Sequence, residues 1–462
     1  MTTSFIIQSI VIIYFIITLL LGFYKKADNN VQSFLFAGRK LTIPALVATL
    51  VSTWYGGILE IGRFSYQNGI VTWIIFGLFY YIAAILFVKF LAPKIIESKL
   101  PTIPDVFEYN FGKWPAFIAI ICVILMTSPA PYLKILAELF LYIWNIPIIL
   151  GLCIGSILSL TYALSGGFSS IVRTDKFQFI LMFIGFTLIL IYSYLDYGGI
   201  LYLIQNTPEY TFHIPGNFNW TYICAWGFIA LITFIDPGFY QRTFAGSSLK
   251  TVQKGIFISV IFWIIFDFMT VFTGIYALAI LPMGSTNPYL DLAQQVLPPI
   301  GLGLFIVSLF AIVMSTIDSF SFISAFTIGK NLIPLIIHNK EENSILYYTK
   351  CGLGITAVLS IFLAILFEHA IDIWYMVGSF TVPTLFIPLI TGLYNIKIKN
   401  SLLFMMLPMC ISITWYILGF ICTIIEAPIQ ILVTLDPMYP GIFTSLILFL
   451  ININPQRHRK AP

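Results

Sequence analysis

Apolar residues run through this sequence in long blocks, interrupted at regular intervals by short clusters of charge, glycine and proline. A helix needs about 20 mostly apolar residues to cross the hydrocarbon core of a bilayer. By that measure the pattern predicts thirteen spans, over residues 4–24, 42–62, 70–92, 114–134, 138–164, 174–196, 219–236, 255–281, 299–326, 346–368, 371–396, 401–424 and 437–453. The seventh and thirteenth are the shortest. The expected fold class is therefore an all-α integral membrane protein with about thirteen transmembrane helices.

Composition and charge sharpen this picture. The chain of 462 residues is 59% hydrophobic and only 9% charged, against about 25% charged in a soluble domain. The first run lacks the basic residues that precede the core of a signal peptide; Lys25 and Lys26 follow it instead. That order keeps the helix and sets the N-terminus outside and the C-terminus in the cytoplasm. Thirteen spans in that orientation put all but three of the 23 basic residues on cytoplasmic connections, their flanking helix ends or the tail, as the positive-inside rule requires. The exceptions are Arg63, Lys89 and Lys134. The outer connections hold Asp196, Glu209, Asp291, Glu368 and Glu426. The six cysteines have no CxxC spacing, the four histidines form no metal motif, and no P-loop is present, so neither zinc nor ATP is indicated.

Polar residues inside the apolar runs carry the candidate chemistry. The span 299–326 holds Ser315, Thr316, Asp318 and Ser319 near its middle. On a helix Ser315, Asp318 and Ser319 share one broad face, with Thr316 about a quarter-turn round. A carboxylate at membrane depth marks an ion or substrate path, and clustered hydroxyls suit a small hard cation, although lone Ser and Thr in such helices commonly bond the i−4 carbonyl. The second span carries Trp54-Tyr55-Gly56-Gly57, and the seventh carries Ala225-Trp226-Gly227 before Asp236-Pro237-Gly238. Such interruptions mark either broken helices or close helix packing. Glu60 has Arg63 one turn on, a local ion pair, or faces a substrate amine. Asp175 opens the sixth span, where a carboxylate also favours a helix N-terminus. Asp267 lies mid-span with no evident partner.

Four motifs in order resemble the sodium:solute symporter family across residues 33–395: Ala37-Gly38-Arg39 before the glycine-rich second span, SGG-x6-TD-x2-Q from Ser165 to Gln178, D-x4-QR from Asp236 to Arg242, and A-x3-ST-x-DS from Ala311 to Ser319. The resemblance implies a LeuT-like core of two inverted five-helix repeats within a single polytopic domain. The repeats would be 42–196 and 219–396, preceded by a helix and loop at 1–41 and followed by two helices at 401–453 and a cytoplasmic tail at 454–462. The second and seventh spans become the paired broken helices. Sodium, carried with the solute, would sit on the carbonyls of Ser52, Tyr55 and Ile312 and the hydroxyls of Ser315 and Thr316. A second cation or a proton would use Asp175, Ser315, Asp318 and Ser319. A small organic solute would lie against Trp54, Tyr55, Gly56, Gly57, Glu60 and Trp226.

The expected function is sodium-driven uptake of a sugar, amino acid or carboxylate by alternating access across the plasma (cell inner) membrane, with no enzymatic activity, no organic cofactor and no nucleic-acid partner. Besides the solute and the lipid bilayer, a second copy of the chain is an open question, monomer or homodimer. A proton-coupled symporter using Asp175 and Asp318 is the alternative mechanism. A sensor that keeps the transporter fold is the alternative class, disfavoured because the sequence stops soon after its last expected span.

Overall fold

The computed structural model describes residues 3–452 apart from 28–29, 283, 340, 367–369, 425–428, 430 and 433–434. Lys340, Glu368, Glu426 and the tail 454–462 of the sequence reading lie outside the described residues. Helices dominate, as they must where lipid cannot satisfy backbone polar groups. Ten helices among the described residues are long and apolar enough to cross a membrane, or eleven when the bent pair Ile43–Trp54 and Ile58–Asn68 is taken as one span. The expected count of thirteen is not confirmed by that measure.

Two local features account for the difference. The fifth and sixth expected spans fall on Ile148–Tyr197, two helical stretches that run into each other across a kink at Gly167, where φ is 56° and ψ is −151°. A side chain is strained there, and a Cβ would also stand 2.5 Å from the Phe34 carbonyl oxygen. The last helix, Met438–Asn452, is only 15 residues long. The boundary expected between 134 and 138 also moves. Ala130–Trp144 is one helix, ended by Asn145 in the left-handed conformation, with Pro147 starting the next turn of chain. Asn just past a helix and Pro soon after are ordinary stop signals, outweighed in the hydropathy profile by continuous apolar sequence.

Seven elements build the centre. α1 is Thr3–Phe23, and α2 and α3 are the two halves Ile43–Trp54 and Ile58–Asn68, bent by 61° at Tyr55–Gly57. α4 is Ile148–Tyr197, α5 is Pro237–Ala245, α6 is Leu249–Ile280 and α7 is Pro299–Phe326. The segment before α5 is itself interrupted: Trp220–Ile229 and Ile232–Ile235 are followed by Asp236 in extended conformation. Both spans expected to be broken are broken. α7 packs along α4 and also touches α1 and α2. From residue 305 to 319 every one of its side chains is buried, as expected of a helix apolar all round. Its hydroxyls and carboxylate must therefore find partners on neighbouring helices.

Candidate functional site

Breaking a helix at mid-membrane frees carbonyls. The last four carbonyls of α2, from Val51 to Trp54, lack the partners an unbroken helix would give them, and they end beside the middle of α7. Thr316 Oγ1 donates to the Thr53 carbonyl at 2.9 Å and lies 3.2 Å from the Ile312 carbonyl. Ser315 Oγ bonds Ser52 Oγ at 2.8 Å and the Asp175 carboxylate at 2.7 Å. Thr49 donates to the other oxygen of Asp175. Ser52, Ile312, Ser315, Thr316 and Asp175 are thus gathered between α2, α4 and α7. Gly56 permits the approach: a Cβ there would sit 2.6 Å from Thr316 Cγ2 and from Tyr132 Cδ1. Tyr55 lies in the break itself, and its hydroxyl donates to the Trp263 carbonyl at 3.2 Å.

The expected group of Asp175, Ser315, Asp318 and Ser319 is gathered only in part: Ser315 bonds Asp175, and Ser315 and Ser319 both reach Thr53 Oγ1, at 3.4 and 3.2 Å, while Asp318 turns aside. At about 100° per residue, Asp318 lies about 60° to one side of Ser315 and Ser319 about 40° to the other. Asp318 consequently turns toward α4, where the Tyr162 hydroxyl donates to it. Ser319 turns toward α5, where Arg242 Nη2 donates to its hydroxyl at 2.9 Å.

Arg242, quoted in the sequence only as part of a motif, proves central. It is fully buried. Its Nη2 also reaches Thr49 Oγ1 and Thr53 Oγ1, both at 2.9 Å, and Asp175 and Asp236 stand near it. Asp236 meanwhile caps α5, accepting from the Phe239 amide at 2.6 Å. A buried guanidinium is tolerable only when paired and hydrogen-bonded, and five acceptors on three helices meet that need. The D-x4-QR motif was the only signal for it in the sequence.

On the other side of the break lies a cavity of about 190 Å³. Trp54, Tyr55, Gly57 and Trp226 line it, as expected of substrate residues. Gly56 instead faces Thr316, and Glu60 is outside the lining, bonded to Arg63 at 2.9 Å. Arg63 also bonds Glu138 at 2.7 Å and Asn287 at 2.9 Å, so the local ion pair holds. The sequence reading missed Trp73, Tyr80, Tyr132 and Trp374 as lining residues, because with 17% aromatic residues in the chain no single ring stands out. It also left Asp267 unplaced; the structure sets it in the cavity wall.

The family model for the sodium:solute symporter family matches residues 34–407. The chain belongs to this family. Curated relatives of this symporter family member include the rat solute carrier family 5 member 4, 28% identical over 41% of this chain and 30% of that protein. The human sodium/glucose cotransporter 4 is 23% identical over 67% of this chain and 53% of its own length. The high-affinity choline transporter 1 of Drosophila melanogaster is 21% identical over 85% of this chain and 67% of its own length. The matches thus span from under a third to two thirds of these relatives. Among solved structures, the substrate-bound outward-open state of a Na+-coupled sialic acid symporter superposes with a TM-score of 0.77 at 16% identity, covering 98% of this chain and 97% of that one. Mhp1, a nucleobase-cation-symport-1 family transporter, superposes at 0.54 with 13% identity, over 90% and 92% of the two chains. These likenesses establish the LeuT-like fold of a multi-pass membrane protein.

Proposed function

We propose that this symporter couples sodium influx to uptake of a small organic solute by alternating access. The observation that carries the reading is the junction of the broken second span with α7. Freed carbonyls, two hydroxyls and a carboxylate meet there at membrane depth, next to a cavity of solute size. Sodium would be held by the carbonyls of Ser52, Tyr55 and Ile312 and by the hydroxyls of Ser315 and Thr316, with Asp175 supplying charge through Ser315. The repeats 42–196 and 219–396 would move relative to each other around it. The chain would lie in the plasma (cell inner) membrane with its N-terminus outside, where charge segregation places it.

One sodium crossing 100 mV is worth about 2.3 kcal/mol, enough for roughly fiftyfold accumulation of a neutral solute. Bound sodium would bridge the end of α2 to α7 and favour one conformation over the other. Its release would free that junction and let the solute go. A ligand can shift a conformational equilibrium only by its differential affinity for the two states, and a site shared between two moving elements provides that difference.

Sodium at 100 times its dissociation constant should stabilise the purified chain by about 2.7 kcal/mol. A melting-temperature increase in sodium but not potassium is therefore expected, and Thr316→Ala should remove it. Equal melting in both salts for the intact chain would count against the site.

A further inference from the structure

The cavity wall holds a carboxylate that pairs with no cation among the described residues. Asp267, in the middle of α6, is buried and lines the cavity. The Tyr81 hydroxyl donates to it and the Tyr55 hydroxyl stands beside it, but no ion pair to it exists among the described residues. The two other acidic and basic groups in the lining are already engaged. Asp236 caps α5, and Arg242 is committed to Thr49, Thr53 and Ser319 with Asp175 and Asp236 nearby.

The remaining wall is aromatic. Trp54 packs edge-on to Tyr80 at 5.3 Å between ring centroids, Phe76 meets Trp226 at 4.8 Å, and Tyr132 meets Trp374 at 5.9 Å. All six rings border the cavity. Among the described residues the lining contains no Asn, Gln, His, Glu or Lys; its unpartnered polar groups are the Trp73, Trp226 and Trp374 indole N–H groups and the Thr72 hydroxyl, which can meet a solute hydroxyl but supply no charge. A free carboxylate on the solute would face Asp267 with no unengaged cation to receive it.

Resting on the symporter reading above, we infer that the co-transported solute is a small quaternary ammonium compound without a carboxylate. Its positive charge is the counter-charge to Asp267. Its methyl groups lie against the ring faces, where a cation within about 6 Å of a centroid is attracted by the ring quadrupole, most strongly by Trp. A buried carboxylate without a counter-charge is costly. A bound ammonium relieves that cost, and a neutral molecule of the same shape does not.

The test uses purified full-length chain in sodium buffer, with melting temperature as readout. Choline is compared with dimethylbutanol, its neutral carbon isostere, and with glycine betaine, which adds a carboxylate. Choline should raise the melting temperature and the other two should not. Asp267→Asn should raise the half-saturating choline concentration about thirtyfold or more, the usual scale for removing one member of a buried charge pair. Sodium should still stabilise that variant. Should Asp267→Asn fail to fold, Trp226→Leu takes its place, removing a ring face with the same weakening expected. Equal effects of choline and dimethylbutanol, equal effects of choline and glycine betaine, or no effect of choline while sodium still stabilises, would each overturn the assignment and leave sodium coupling standing. Stabilisation by choline with none by sodium would instead sink the coupling and keep the ammonium site.

Discussion

Replacing Arg242 with Gln will destabilise the protein by about 3–5 kcal/mol, the scale for removing one partner from a buried charged pair. The guanidinium is where α2, α5 and α7 meet, bonding Thr49, Thr53 and Ser319 each at 2.9 Å. Without it Asp175 keeps only its hydroxyl donors, Thr49 and Ser315. Arg242→Lys should recover only part of the loss. An ammonium carries the charge but lacks the planar fork that reaches several acceptors at once. The double variant with Asp175→Asn should lose less than the sum of the two single changes, because the charge left unpaired is removed as well. Unfolding of the purified variants by heat or denaturant measures all of this. Additive losses would mean that Arg242 and Asp175 are not energetically paired.

Gly56→Ala is expected to cost the sodium response rather than mainly the fold. The added Cβ would overlap the Thr316 side chain and the Tyr132 ring, each at 2.6 Å, so α2 and α7 must separate by a few tenths of an ångström or more. Thr316 then leaves the Thr53 carbonyl, and the proposed ligands no longer fit one ion. The half-saturating sodium concentration for stabilisation should rise at least about tenfold, equal to a loss near 1.4 kcal/mol of binding. Gly227 is a useful contrast: its Cβ position has its nearest neighbour, the Phe79 ring, 3.3 Å away, and Gly227→Ala should leave sodium affinity unchanged.

Much of the architecture was legible because lipid imposes a simple rule on sequence. Apolar runs gave the helices, paired glycines marked the break in the second span, and Asp236-Pro237-Gly238 marked the irregular end of the seventh. What hydropathy could not register was local chain geometry within an apolar stretch. Asn145 and Pro147 end one helix and begin another among residues as apolar as their neighbours. At the site, the family resemblance set Ser315 and Thr316 beside the second span, where they bond Ser52 and the Thr53 carbonyl. Spacing on one helix could not divide Asp318 from Ser319, because which neighbour each side chain meets depends on what packs at either flank. Tyr162 on one side and Arg242 on the other decide that, and both come from distant parts of the chain. Asp267 remained without a role for the same reason, since the cavity is assembled from at least four separate helices.

The most direct test of the sodium site is equilibrium binding of radioactive sodium to the purified chain, intact and as Thr316→Ala. Saturable binding displaced by unlabelled sodium but not by potassium, and lost in Thr316→Ala, is the result expected of an ion held between the broken span and α7. Saturable binding that Thr316→Ala leaves intact would place the ion elsewhere, and no saturable binding at all would contradict sodium coupling through this junction.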